Sequence, residues 1–185
     1  RDVTCLAVSE GAVLAATDEG LWRVDTTGAT RLGLVGVDRP KDVINLSDGY
    51  AAIATSTEVM VLDPRVGRVT QRWPVARVER LARARTGRLW AVGVDGAWSW
   101  TAADGTWTRH TDGLGDRRLT AVAGTADGGG EVHLWVVGRG GAWRRVPERV
   151  WLSRRRERMG DVAVEEGAPP VWELLAAAHA AHHVS

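Results

Sequence analysis

Three histidines stand close together near the end of the chain, at His179, His182 and His183. At spacings of three and four they would share one face of a helix, and imidazole nitrogens are common zinc ligands. A zinc site needs three or four ligands and further groups behind them that orient the rings. The cluster is therefore read as a polar terminus, and no metal or other cofactor is expected. His110 and His133 have no identifiable nucleophile or carboxylate partner along the sequence. Ser9, Ser47, Ser56, Ser99 and Ser153 all lie outside a nucleophile-elbow pattern. Gly138-Arg139-Gly140-Gly141 has the glycine density of a phosphate loop without the spacing of one. Arg154-Arg155-Arg156 could meet phosphates, but a single run without interleaved aromatics reads as a solvated linker. No catalytic residue is assigned.

The elements that would position any site come from a fifteen-residue pattern that recurs four times. The copies read GAVLAATDEGLWRVD from Gly11, GYAAIATSTEVMVLD from Gly49, GRLWAVGVDGAWSWT from Gly87 and VHLWVVGRGGAWRRV from Val132. Their starts are 38, 38 and 45 residues apart. Periods of this length mark arrays whose units cannot bury their apolar faces alone. Each copy reads as strand, tight turn, strand. Val13–Ala16, Ala51–Ala54, Leu89–Val92 and Leu134–Val137 are apolar at every position, which predicts strands buried on both faces. The next strand puts Trp22, Met60, Trp98 and Trp143 at one register, as packing residues.

Two further strands complete the unit. Upstream are Val3–Val8, Asp42–Leu46, Val78–Ala82 and Leu119–Val122; downstream are Gly28–Leu32, Gly67–Arg72, Gly105–Thr111 and Pro147–Leu152. Four antiparallel strands per repeat predict an all-β chain of four β-propeller-like blades, part of a larger propeller. The blades fall at about 2–38, 39–76, 77–116 and 117–152 of a 1–152 array. The longer last period puts seven extra residues in Thr125–Glu131. Residues 153–169 read as a linker and 170–185 as a short C-terminal helix, the start of a further domain or a cap. Pro170 suits a helix start, and Trp172, Leu175, Ala176 and His179 keep helical spacing.

At Gly87–Trp98 the phrase Gly-x-Leu-Trp…Gly-x-Trp resembles the repeat of two-component regulator propellers. Leu134–Trp143 carries it again and Gly11–Trp22 more weakly; the likeness covers about residues 2–152. Copy two departs from it, with Glu58 at the turn glycine and Met60 for Trp. The resemblance implies a non-catalytic sensor or interaction domain of a bacterial signalling or surface protein, periplasmic or extracellular. Its implied partners are a protein or a small polar or glycan ligand, together with the remaining blades or a downstream domain of the parent chain. A hydrolase or lyase acting on glycans is the alternative, and it needs two carboxylates facing each other across a pocket. A purely structural spacer array is the other.

Composition narrows the partners. With 24 basic and 23 acidic residues the net charge is +1, so no overall field favours nucleic acid or an anionic membrane. No apolar run is long enough to insert in a membrane. Ten tryptophans beside one tyrosine and no phenylalanine place the aromatic mass at repeat positions. Cys5 alone excludes an internal disulfide, and its inner strand makes it a small buried hydrophobe. The chain opens on Arg1, which is expected of part of a longer protein.

Loops on a rigid scaffold carry function more often than the scaffold itself. The second-to-third-strand turns should share one face with the connections between blades. That rim would collect Asp18, Glu58, Asp95 and Arg139 from the turns, and Arg117 and Arg118 from a connection. Trp100 joins these as a ligand- or partner-binding candidate, since Trp is enriched at interaction hot spots.

Overall fold

Glycine-flanked apolar runs pair with their neighbours as hairpins, and the described residues form four such meanders. The computed structural model describes residues 2–46, 49–84, 87–103, 105–111, 114, 118–126, 132–145 and 172–177. Blade one comprises β1 (Val3–Ser9), β2 (Ala12–Thr17), β3 (Gly20–Asp25) and β4 (Gly28–Arg31). Blade two comprises β5 (Asp42–Asn45), β6 (Ala51–Ala54), β7 (Val59–Asp63) and β8 (Arg68–Trp73). Blade three comprises β9 (Val78–Arg83), β10 (Leu89–Gly93), β11 (Gly96–Trp100) and β12 (Trp107–His110). Blade four comprises β13 (Leu119–Ala126), β14 (Val132–Gly138), β15 (Gly141–Arg145) and β16 (Trp172–Ala177). Within every blade the strands lie in sequence order and pair antiparallel, and the first strands β1, β5, β9 and β13 adjoin one another in turn. The fold is a β-propeller.

The cross-strand register matches the repeat. Trp22, Met60, Trp98 and Trp143 stand opposite Ala15, Ile53, Ala91 and Val136. Opposed residues point to the same side of a sheet, so Met60, Trp98 and Trp143 fill the face that their blades turn toward the preceding one. Three apolar clusters result. Leu14, Ala16 and Leu21 meet Ile53, Met60 and Leu62 between blades one and two. Ala52, Ala54 and Val59 meet Leu89 and Ala91 between two and three. Trp90, Val92 and Ala97 meet Leu134, Val136 and Trp143 between three and four. In blades two and three the runs are apolar throughout because both faces of the inner hairpin are covered. Burying one such side chain contributes about 1.5–3 kcal/mol.

The turns show why copy two could lose its glycine. Gly20 and Gly96 adopt φ of 124° and 120°, where a side chain would be strained. Glu58 is not left-handed. The buried Thr55 hydroxyl instead accepts the N–H of Thr57 and of Glu58 at 3.3 and 3.1 Å and donates to the Glu58 carbonyl at 3.1 Å. A hydroxyl-centred turn thus replaces the glycine turn.

The tail differs from expectation. Residues 172–177 are not helical: Trp172–Ala177 is the outer strand of blade four, pairing with β15 from Arg145↔Trp172 to Gly141↔Ala177. The physical reason is tertiary. The third strand needs partners for its outer edge, and Trp172 packs edge-on to Trp90 at 6.4 Å, only 4% exposed. Those gains outweigh a local alanine-rich preference for helix. The strand expected at Pro147–Leu152 and the linker at 153–169 lie outside the described residues, as do 178–185 with the histidine cluster. Part of the seven-residue insertion lengthens the β13–β14 hairpin, which pairs out to Ala126↔Val132.

Candidate functional site

Hairpin turns and interblade connections do meet on one face. Val94 N–H donates to the Arg77 carbonyl at 3.2 Å, and Arg139 N–H to the Arg118 carbonyl at 3.3 Å. At Gly93 a β-carbon would collide with that same Arg77 carbonyl, so glycine is what allows the connection to lie against the hairpin. Arg39 and Arg77 hold the same place in successive connections and both are left-handed, with φ of 58° and 61°.

The rim residues differ in exposure and in the ion pairs they make. Asp18, Arg118 and Arg139 are exposed. Glu58 is held by Arg72 at 2.6 Å. Asp95 faces Arg77 at 3.5 Å, a pairing of two partly exposed groups that is worth little in water. Arg117 lies outside the described residues.

A feature unread in the sequence organises this rim. In three blades an arginine from the outer strand reaches back over the blade to the hairpin turn. Arg31 donates to the Glu19 carbonyl, and Arg109 to the Asp95 carbonyl through Nε at 3.1 Å and through Nη2. Arg72 bridges the Glu58 carboxylate and the Val35 carbonyl at 2.7 Å, which ties the turn to the preceding connection as well. The spacing of these arginines varies between copies, so the repeat alone does not reveal them.

Trp100 is not part of that rim. It ends β11 far from the turn, opposite Leu89 and Trp107. There it lines a cleft of about 350 Å³ between blades two and three, together with Leu46, Tyr50, Val61, Thr70, Gln71 and Leu89. Trp73 stacks obliquely on Trp100 at 4.9 Å and meets Trp107 edge-on at 6.0 Å. The indole N–H groups of Trp100 and Trp107 are buried without an acceptor among the described residues, so ring packing holds this cluster. Arg65 lies 5.6 Å over the Tyr50 ring near the cleft. The arrangement offers aromatic and aliphatic walls with an exposed amide at Gln71.

One pairing resembles a nucleophile and its base. Ser99 Oγ lies 2.8 Å from His110 Nε2, a contact made diagonally across β11 and β12 that the spacing of the two residues did not reveal. Ser99 is 6% exposed and its neighbour Trp90 covers the imidazole at 5.0 Å. The bond satisfies the buried Ser99 hydroxyl and one nitrogen of a half-buried imidazole. Among the described residues no three His, Cys, Asp or Glu side chains gather as a metal site. No helix among them is long and apolar enough to cross a membrane.

No family model matches the chain and no curated protein matches it. Solved structures do. A structure described as the extracellular domain of the hybrid two component system BT4673 from B. thetaiotaomicron superposes with a TM-score of 0.67 at 19% identity, covering 78% of this chain and 20% of that one. PorZ, a bacterial surface component of the type-IX secretion system of Porphyromonas gingivalis, gives 0.66 at 14%, with 93% and 27% covered. Virginiamycin B lyase from Staphylococcus aureus gives 0.60 at 15%, with 77% and 51% covered. The chain thus spans about a fifth of the BT4673 domain's length. The repeat whose phrase resembles that of two-component regulator propellers builds, in this chain, four consecutive blades of the propeller fold found in the extracellular domain of such a system.

Proposed function

We propose that the chain is a non-catalytic recognition module of a bacterial signalling or surface protein, binding a protein segment or a small polar or glycan ligand. The cleft between blades two and three carries this reading, because there the packing of the repeat gives way to an open, aromatic-walled recess. Ligand sites are typically apolar concavities with a few placed polar groups. Gln71 and Tyr50 supply such groups, Trp100 and Leu89 the walls. The exposed rim residues Asp18, Arg118 and Arg139 form a second, charged surface suited to a protein loop. The structural likeness to two-component extracellular domains and to PorZ agrees with a role at a surface. A panel of oligosaccharides and peptides, titrated while tryptophan fluorescence and melting temperature are followed, tests the reading. A binder from the panel should lose affinity at least tenfold with Gln71→Ala or Trp100→Phe. Equal affinity in both variants, or no binder of either class, rejects the cleft.

A further inference from the structure

The connection between blades one and two is the longest of the three, with ten residues (32–41) against four (74–77) and eight (111–118). Its course is fixed from both sides. Val37 is buried in the apolar cluster between the two blades, Arg72 donates to the Val35 carbonyl at 2.7 Å, and Lys41 N–H donates to the Ala54 carbonyl at 2.8 Å. On this tethered backbone Val35 is 85% exposed, more than any other large apolar side chain among the described residues. A lone exposed valine is ordinary on a protein surface. The charges that follow it are not.

Arg39 and Lys41 are both exposed on the same connection. Arg39 repeats the backbone of Arg77 one blade earlier, with φ of 58° against 61°. Arg77 faces the Asp95 carboxylate in the hairpin turn of its own blade at 3.5 Å. In the second copy of the repeat Thr57 stands where Asp95 stands in the third, so that carboxylate has no counterpart for Arg39. The acid which the second turn does carry, Glu58, is held by Arg72 at 2.6 Å. Asp38 is exposed beside Arg39 in sequence, yet among the described residues neither Arg39 nor Lys41 makes an ion pair. The repeat thus completes one arginine–carboxylate pair and leaves the preceding one without its acid.

We infer that this connection docks an acidic segment of a protein partner, whose carboxylates meet Arg39 and Lys41 and whose apolar side chain covers Val35. The inference rests on the chain being a recognition module, and it concerns the end of β5 opposite the cleft residue Leu46. A small anion would meet two solvent-exposed cations, and such pairs are worth little alone. A protein segment adds the apolar contact, while the charges guide its approach and fix its register. Arg39 and Lys41 are two residues apart, at most about 7 Å along the chain. Acids at alternate positions of an extended segment match that separation.

Fluorescence anisotropy of a labelled peptide of alternating aspartate and leucine, titrated with the 185-residue chain, tests this. Binding should weaken as salt rises, and the corresponding lysine–leucine peptide should not bind. Arg39→Gln with Lys41→Gln should weaken the aspartate peptide about tenfold, and Val35→Ser severalfold. Thr57→Asp gives blade two the acid that Asp95 gives blade three, so it should weaken the peptide as much as Arg39→Gln alone. Arg77→Gln removes an arginine that already has its acid and should change affinity by less than about twofold. Arg39→Glu with Lys41→Glu should bind the lysine peptide instead, a gain that a misfolded chain cannot show. An aspartate peptide that does not bind overturns the inference. So does binding that survives Arg39→Gln with Lys41→Gln. Dextran sulfate that binds as tightly as the peptide, unaffected by Val35→Ser, would replace the protein partner with a bare polyanion and overturns it too. Ligands of the cleft report through Gln71→Ala, so the two readings fail separately.

Discussion

The Asp42 carboxylate accepts the backbone N–H of Leu81 at 2.7 Å, joining the first strand of blade two to the first strand of blade three. Its other oxygen accepts the N–H of Val43 at 3.0 Å, and the Cys5 thiol of blade one lies beside it. One buried side chain thus links three consecutive blades near their shared axis.

Replacing Asp42 by Ala leaves the Leu81 N–H buried and unpaired, which should cost about 1–3 kcal/mol in denaturant unfolding. Burial pushes the Asp42 carboxyl above its ordinary pKa of 3.8, an effect offset in part by the Leu81 N–H. The folded state then holds this proton more tightly than the unfolded chain does. The contribution to stability is full below 3.8 and is lost as pH rises through the raised value. Wild type compared with Asp42→Asn across mildly acidic pH should show that slope in the difference between the two curves. Parallel curves would mean that Asp42 titrates alike in both states.

Arg109→Ala removes the donors that hold the Asp95 carbonyl. Because the contact is solvent-exposed, global stability should fall by less than about 1 kcal/mol. Local opening is a more sensitive readout. Hydrogen exchange at Val94–Gly96 should quicken severalfold while exchange in β10 stays slow. Unchanged exchange in the turn would show that the arginine does not tether it.

The Cys5 thiol is pushed up to about 11, first by burial and then by the neighbouring Asp42 charge. Thiolate is the reactive form. Labelling with iodoacetamide near neutral pH should run about a hundredfold slower than for an unfolded control. Rapid labelling of folded protein would place the thiol in solvent.

Much of the fold could be read from residue types, because an inner strand sandwiched between blades must be apolar at consecutive positions. The shared register of Trp22, Met60, Trp98 and Trp143 followed from the period and holds in the structure. Misreadings arose where a distant contact outweighed a local one. Trp172, Leu175 and Ala176 keep helical spacing, yet the unpaired edge of β15 and the indole of Trp90 draw the segment into a strand. The Ser99–His110 bond needed the exact offset between β11 and β12, which a loop of variable length conceals. The cleft at Trp100 depends on how two blades splay, and neither blade's sequence encodes that alone.

The hydrogen-bond ladders of the first three blades each close over a short stretch: Val3–Arg31, Asp42–Trp73 and Val78–His110. A chain synthesised from its N-terminus can finish each of these sheets before the next emerges. Blade four breaks the rhythm, since β15 ends at Arg145 and its last partner begins only at Trp172. During synthesis that blade must wait as a three-stranded sheet with an open edge. Joining strands so far apart along the chain costs more chain entropy, although that cost grows only logarithmically with the separation. Blade four is therefore where a stalled or prematurely stopped ribosome would release a sticky product.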